Sequence, residues 1–355
     1  MNSTADMNIT GGLDPVKTDN MEEMVSVAKE MHWYSSVVFG TIFMVVGLIG
    51  NFLSIIVWSR KPLRSSTGTY LIAQAAADIC VLIFFFFTDS LAMMNPDIKK
   101  EFSFGSFYSY IGYPFFFLAV IVSIWMTVGV TVDRYIQVCW FTHSKTLCNN
   151  KRALHGITII SILCFVVNFP HFFTYRPVDD VNKTAAYQTT EYGKGHGSQN
   201  YEFWVHCMFL VLVPWITILS LNILIIRQVV RTGARMADRK SVYAKEKTKK
   251  AENQLTTLLL TVTFTFLVLI ALQCITQCFF MLKPKTVNYE LVDEAFSVAK
   301  LGVIINSSIN FFLYCLSARR FRKELFSIMG WRFNFGELSE MSSTEGSSTT
   351  KSSAM

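Results

Sequence analysis

The sequence predicts an all-α membrane protein: a seven-transmembrane helix bundle with a short amphipathic helix on the inner leaflet. Three observations predict it. The 355 residues are 52% hydrophobic, 14% aromatic and only 16% charged, too apolar for a soluble domain of this size. The apolar residues collect into seven runs, each near or above the roughly 20 residues a helix needs to cross a bilayer. Lys and Arg gather in alternate connecting segments, as the positive-inside rule requires.

Residues 1–32 are polar and acidic, with Asp6, Asp14, Asp19, Glu22, Glu23 and Glu30 against Lys17 and Lys29. They read as a disordered tail. The runs themselves are Trp33–Trp58, Tyr70–Met94, Phe104–Val138, Leu154–Tyr175, Phe203–Ile226, Leu255–Leu282 and Val292–Leu316, numbered below as spans one to seven. Arg60, Lys61 and Arg64 follow the first span. Nine Lys and Arg residues, from Arg227 to Lys250, follow the fifth, and Arg319, Arg320, Arg322 and Lys323 follow the seventh. These basic segments face the cytoplasm, so the N-terminus faces out, and the net charge of +7 is a topology signal rather than a nucleic-acid footprint. No apolar run precedes residue 30, so no cleavable signal peptide is expected and the first span serves as its own anchor.

Other features fit that orientation. The sequons Asn2-Ser3-Thr4, Asn8-Ile9-Thr10 and Asn182-Lys183-Thr184 fall outside and are candidate glycosylation sites. None of the eight cysteines falls in an outer loop, so no extracellular disulfide is expected. The outer segment 176–202 holds Gly193, Gly195 and Gly197 and reads as a long flexible loop. Residues 227–250 read as helical extensions of spans five and six. Phe321, Leu325, Phe326 and Ile328 among basic neighbours predict the helix over 318–330, lying on the inner leaflet. Residues 331–355 form a cytoplasmic tail, rich in serine and threonine and open to kinases.

The polar residues within the spans carry the chemistry. An ionisable group there is costly and marks function by default. From Phe104 to Val132 span three has no charge, and then come Asp133, Arg134 and Tyr135. Alone, Arg134 also reads as a positive-inside residue reaching for the headgroups. Asp78 in span two is the only deep acid. Asn51, Ser123, Asn306, Ser307, Asn310 and Tyr314 recur at helical spacings and supply the hydroxyls and amides of a hydrated, cation-binding pocket around it.

Gly50-Asn51, Ala77-Asp78, Asp133-Arg134-Tyr135, Pro214 and Asn310-Phe311-Phe312-Leu313-Tyr314 together resemble the rhodopsin-like, or class A, G-protein-coupled receptors, over about residues 33–329. The resemblance implies a plasma-membrane receptor rather than an enzyme. It implies that Asp78, Ser123, Asn306, Ser307 and Asn310 hold Na⁺ as an allosteric ion, with no other metal or cofactor. Arg134 would be tied to Asp133 at rest and freed on activation, when it, Tyr135 and Tyr314 meet a heterotrimeric G protein. Glu252 is a candidate second clamp on Arg134, or simply neutralises Lys249 and Lys250. Receptor kinases and arrestin would act on the tail, which equally reads as a plain solvated segment.

This chain departs from the family at several points. Phe311 stands where a proline is usual, span six lacks its tryptophan and proline, and Ser109 stands where span three usually carries a cysteine. With Val205-His206-Cys207, Leu221-Asn222 and Cys315, these departures resemble a vertebrate orphan subgroup that senses aromatic amino acids. More distantly they resemble invertebrate neuropeptide receptors of the FMRFamide and myosuppressin type.

Counting back from Arg134 places Tyr113, Phe116, Phe117 and Val120 on the outer half of span three. An amine receptor would need a carboxylate at Phe116 and an opsin a lysine at Ile304, so both are disfavoured. Lys300 in span seven either pairs with Asp89 in span two or snorkels outward. Arg176, Glu202, His206, Gln273, Gln277 and Phe296 are further candidates for the mouth. An aromatic cavity with few ionic groups suits a neuropeptide or, second, an aromatic amino acid. Phospholipase C is the G-protein branch the resemblance suggests. A transporter or channel would show paired repeats and broken Gly/Pro-rich helices; this chain has neither.

Overall fold

A computed structural model provides the structure; it describes residues 15–179, 185–237, 265, 268, 269 and 289–330. Within them, six helical stretches are long and apolar enough to cross a membrane: Glu23–Trp58, Ser66–Met94, Phe102–Cys139, Asn150–Phe173, Met208–Thr232 and Val298–Leu316. They correspond to spans one to five and seven. Span six lies almost wholly outside the described residues.

Span three is the axis of the bundle, packed against spans two, four and five. Its Phe116, Phe117, Val120, Ile121, Ile124 and Val128 are buried against Val81, Leu82 and Phe85 of span two, Cys164 of span four, Ile218 of span five and Ile304 of span seven. The outward faces are apolar as well. Ile42, Ile49 and Phe52 on span one, Ile159, Ile162 and Val166 on span four, and Ile216 and Leu219 on span five are exposed. A helix apolar on all sides belongs in lipid.

Two prolines shape the helices. A proline inside an α-helix lacks the N–H and clashes with the carbonyl one turn back. Pro114 and Pro214 come just after wide π-helical turns at Tyr108–Gly112 and Val205–Leu212, which absorb that clash. Similar turns at Tyr34–Phe39 and Phe86–Ser90 open the outer halves of spans one and two.

The structure differs from the sequence reading at both faces. Pro15–Trp33, read as part of a disordered tail, is a helix that runs unbroken into span one. Val25 and Ala28, one turn apart, are buried, and this helix packs on the span-seven helix, Tyr289–Ser317. Its polar composition concealed that narrow apolar stripe. The outer segment read as flexible contains an antiparallel hairpin, β1 (Tyr175–Pro177) and β2 (Tyr187–Thr189), then helices Glu191–Lys194 and His196–Trp204. An inner-loop helix, Phe141–Leu147, was also not foreseen.

At the inner face, Arg319–Ile328 forms the expected amphipathic helix. Phe321 is fully buried and packs on Trp58 and Tyr314, with ring centroids at 5.3 and 5.6 Å. Phe311, in place of the usual proline, fills the gap between Phe321 and Gly50: its ring lies 6.0 Å from Phe321, and a Cβ on Gly50 would come within 2.9 Å of its own Cβ. Span five continues as helix to Ala237, so its basic extension is helical that far. The tail from residue 331 lies outside the described residues.

Phe321→Ala should therefore lower stability by about 3 kcal/mol, the usual cost of emptying a buried phenylalanine site. Thermal unfolding of the purified chain in lipid nanodiscs measures it.

Candidate functional site

Three carboxylates, at the outer end, the middle and the inner end of the bundle, organise its polar groups. At the outer end, Asp89 sits in the wide turn of span two. Its Oδ1 accepts from Lys300 Nζ at 3.0 Å, and its Oδ2 accepts from the Ser36 hydroxyl. Both ionic side chains are largely buried, at 13% and 18% exposure. Ser90 fixes the neighbouring turns by donating to the Ser36 carbonyl at 2.8 Å. His32, at the end of the N-terminal helix, bridges two spans: Nε2 is 3.6 Å from Asp89 Oδ2, and Nδ1 is 2.5 Å from Glu294 Oε2 on span seven. The sequence reading considered Asp89 and Lys300 as partners. It missed His32, Ser36 and Glu294. The available signal was His32 standing four residues after Ala28, hence on the same helix face.

Beside this cluster lies an aromatic one. His171, fully buried, stacks on Phe117 at 5.0 Å and approaches Tyr113 at 5.7 Å. Tyr113 meets Tyr175 of the hairpin at 4.7 Å, and Tyr108 stacks on Tyr187 at 4.0 Å. The Ala186 N–H donates to the Lys99 carbonyl at 2.6 Å. Ser109, where the family cysteine would stand, is buried. Rings thus hold the hairpin onto span three, and a main-chain bond ties it to the loop that precedes that span. Phe116 and Val120 are core side chains, and Arg176 is exposed on β1. Glu202, His206 and Phe296 lie on helical backbone. Gln273, Gln277 and the sequons at Asn2, Asn8 and Asn182 lie outside the described residues.

In the middle, Asp78 is fully buried. Its carboxylate accepts from Ser123 Oγ at 2.5 Å and Asn310 Nδ2 at 2.9 Å, with Ser307 as a third polar contact. Asn51 Nδ2 donates to the carbonyls of Ser307, at 2.8 Å, and Gly47, at 2.9 Å. Asn306 takes no part in these contacts. Asn306 lies about 40° round the helix from Asn310, yet the contacts to Asp78 are made by Ser307 and Asn310. Among the described residues no Lys, Arg or His pairs with Asp78. A buried carboxylate with neutral donors alone lacks a counter-charge, and the oxygens around it suit a small hard cation.

At the inner end, Asp133 Oδ2 accepts from Thr67 Oγ1 at 2.5 Å and Gln137 Nε2 at 2.8 Å, tying span three to span two. The expected tie from Arg134 to Asp133 is not formed: no ion pair joins them among the described residues. Neighbours in a helix point about 100° apart, and the hydroxyl and amide already occupy the carboxylate. Tyr135 packs on Ile225 and Val229 of span five. Tyr314 is buried, edge-on to Trp58 at 5.7 Å. Glu252 lies outside the described residues. Below, Arg322 Nη1 donates to the Cys315 and Leu316 carbonyls at 2.8 and 2.7 Å, capping the end of span seven.

Among the described side chains, Cys80, Cys139, Cys148, Cys164 and Cys315 are free. Burial, with the Asp133 charge beside it, pushes the Cys148 thiol in the inner loop up to about 11. It stays protonated at neutral pH and is a poor nucleophile or metal ligand.

Residues 50–314 match the family described as the seven-transmembrane receptors of the rhodopsin family. The chain is 30% identical over 304 residues to the FMRFamide receptor of Drosophila melanogaster, covering 79% of this chain and 51% of that receptor. It is 24% identical over 317 residues to the sex peptide receptor of the same fly, covering 80% and 70%. To galanin receptor type 1 of Rattus norvegicus it is 28% identical over 169 residues, covering 46% and 47%. The chain spans about half the length of the FMRFamide receptor it matches.

The Asp89–Lys300 pair yields a direct test. Removing one partner of a largely buried pair strands the other charge and costs about 3–5 kcal/mol, whereas removing both costs far less. Lys300→Met should therefore destabilise strongly, and Asp89→Asn in the same chain should recover much of the loss. A double-mutant cycle by thermal unfolding reads the coupling.

Proposed function

The chain belongs to the rhodopsin family of seven-transmembrane receptors, and on that premise we propose that it is a neuropeptide receptor of the plasma membrane. Its N-terminus is extracellular, and it couples a bound peptide to heterotrimeric G proteins. The observation that carries the reading is the 30% identity, over 304 residues, to a receptor named for the peptide FMRFamide. The mouth supports it: an ionic cluster at Asp89, Glu294 and Lys300 and a wall of rings at Tyr113, Tyr175 and Phe117 offer a short peptide both charged and aromatic partners.

The inner face has the parts for coupling. Arg134 is not tied to Asp133, so activation here need not break that ion pair. The equilibrium would instead involve the packing of Tyr135 on span five and of Tyr314 between Trp58 and Phe321. A ligand shifts such an equilibrium only by its differential affinity for the two states. Phospholipase C is the proposed branch, with receptor kinases and arrestin acting on the Ser/Thr-rich tail.

Intracellular calcium in cells expressing the chain, challenged with a panel of amidated peptides, tests this. We expect a response that Arg134→Ala abolishes at equal surface expression. Tryptophan and phenylalanine belong in the same panel: a response to them alone would overturn the peptide reading and leave the receptor class standing.

The Asp78 pocket is proposed to hold Na⁺. The Asp78 carboxylate, the hydroxyls of Ser123 and Ser307 and the amide oxygen of Asn310 would hold the ion, which supplies the missing positive charge. Replacing choline by sodium at constant ionic strength should raise the melting temperature of the wild type. Asp78→Asn should not respond; an equal rise in both would sink the site.

A further inference from the structure

His32 faces a carboxylate on each side. Its Nδ1 lies 2.5 Å from Glu294 Oε2 and its Nε2 lies 3.6 Å from Asp89 Oδ2. A neutral imidazole carries hydrogen on one ring nitrogen only, whereas the imidazolium donates from both. In the neutral ring, a hydrogen on Nδ1 serves Glu294, and the lone pair of Nε2 then points at the oxygen of Asp89. Adding a proton at Nε2 turns that opposition into a second charge-assisted bond.

The charges of the cluster lead to the same conclusion. Asp89 and Glu294 bring two negative charges and Lys300 one positive charge, all three at or below 18% exposure. With a neutral His32 the four named groups sum to one negative charge at a largely buried position, which is costly. With the imidazolium they are balanced. The described groups facing this cluster come from four spans: Ser36 on span one, Asp89 on span two with Tyr108 of span three behind it, and Glu294 and Lys300 on span seven. Lys29 and Glu30, on the same helix as His32, are exposed.

We propose that His32 is a proton-binding site, and that the proton it takes from the outer medium fastens the N-terminal helix to spans two and seven. Its ligand is the proton itself, so pH becomes a second input to the outer mouth. That the medium is extracellular rests on the orientation proposed above; the fastening does not. The sign follows from linkage. The imidazolium donates one bond more than the neutral ring, so docking strengthens in acid and weakens in base. The fastened helix is the one that leads into span one, and its pin also holds the acid that pairs with Lys300.

The test uses the full chain in lipid nanodiscs, with no ligand. Melting temperatures are compared at pH 8.0 and pH 5.5 for the wild type and His32→Gln. The advantage of the wild type should widen at pH 5.5 by about 2–4 °C, the shift expected for one added charge-assisted bond. Glu294→Gln, which keeps the side-chain shape, should lose most of that widening. Hydrogen exchange of backbone amides over residues 23–36 in the wild type, corrected for intrinsic pH dependence, should slow at pH 5.5, and this readout stands even if a variant does not fold. An advantage equal at both pH values, or exchange that does not slow, would overturn the proposal and make His32 a packed neutral side chain. Because no peptide enters the experiment, failure of the peptide-receptor reading would not affect it.

Discussion

An unpaired polar atom is costly in hydrocarbon, and that constraint organises this bundle more than any apolar contact does. Lipid is as apolar as leucine, so burying leucine selects no particular neighbour. The polar groups make that selection. Asp89 joins spans one, two and seven; Asp78 joins two, three and seven; Asp133 joins two and three. Asp78 and Asp89 are eleven residues apart, or about 16 Å along one helix. Spans two and three are thus pinned at Asp78 and at Asp133, and the side chains of Phe116, Ile121 and Ile124 pack in the core alongside.

How far the sequence could be read follows from the same constraint. The spans were legible because about 20 apolar residues in water have no soluble explanation. Ser123, Ser307 and Asn310 were legible as partners of Asp78 because few polar groups exist at that depth. Asn306 was grouped with them by spacing and by the family resemblance, and it makes none of the hydrogen bonds that hold Asp78. The tie between Asp133 and Arg134 was what the resemblance implied; the carboxylate instead accepts from Thr67 and Gln137, two polar partners no motif marked. The N-terminal helix was missed because composition averages over its faces. Val25, Ala28 and His32 touch the bundle, while Glu23, Ser26, Lys29 and Glu30 are exposed. The hairpin was missed because Gly193, Gly195 and Gly197 suggested mobility where neighbouring tyrosines form the anchors.

The aromatic anchor has physical consequences of its own. A disulfide would fix the hairpin to span three covalently, independent of what fills the mouth. The stack of Tyr108 on Tyr187 and the edge contact of Tyr113 with Tyr175 are worth about 0.5–1.5 kcal/mol each beyond area burial. They are strong enough to set a resting position and weak enough to exchange for ligand rings. Phe311 has a comparable effect at the inner face. A proline there would free a carbonyl and bend span seven; phenylalanine keeps the helix intact and wedges it against Phe321 and Gly50.

Span seven is where these contacts meet. Between Tyr289 and Ser317 it carries Glu294 and Lys300 in the outer cluster, Ser307 and Asn310 in the middle, and Phe311 and Tyr314 in the inner aromatic group. A continuous helix of this length spans about 43 Å and cannot absorb a displacement locally. Any rotation that releases Glu294 or Lys300 at the mouth must be shared by Asn310 against Asp78 and by Tyr314 against Trp58. Each of those contacts is either made or broken, because packed interfaces do not deform continuously. A change at the outer cluster worth 1.4 kcal/mol, about tenfold in population, therefore reaches the inner face through one rigid element, with no chain of intermediaries between the two ends.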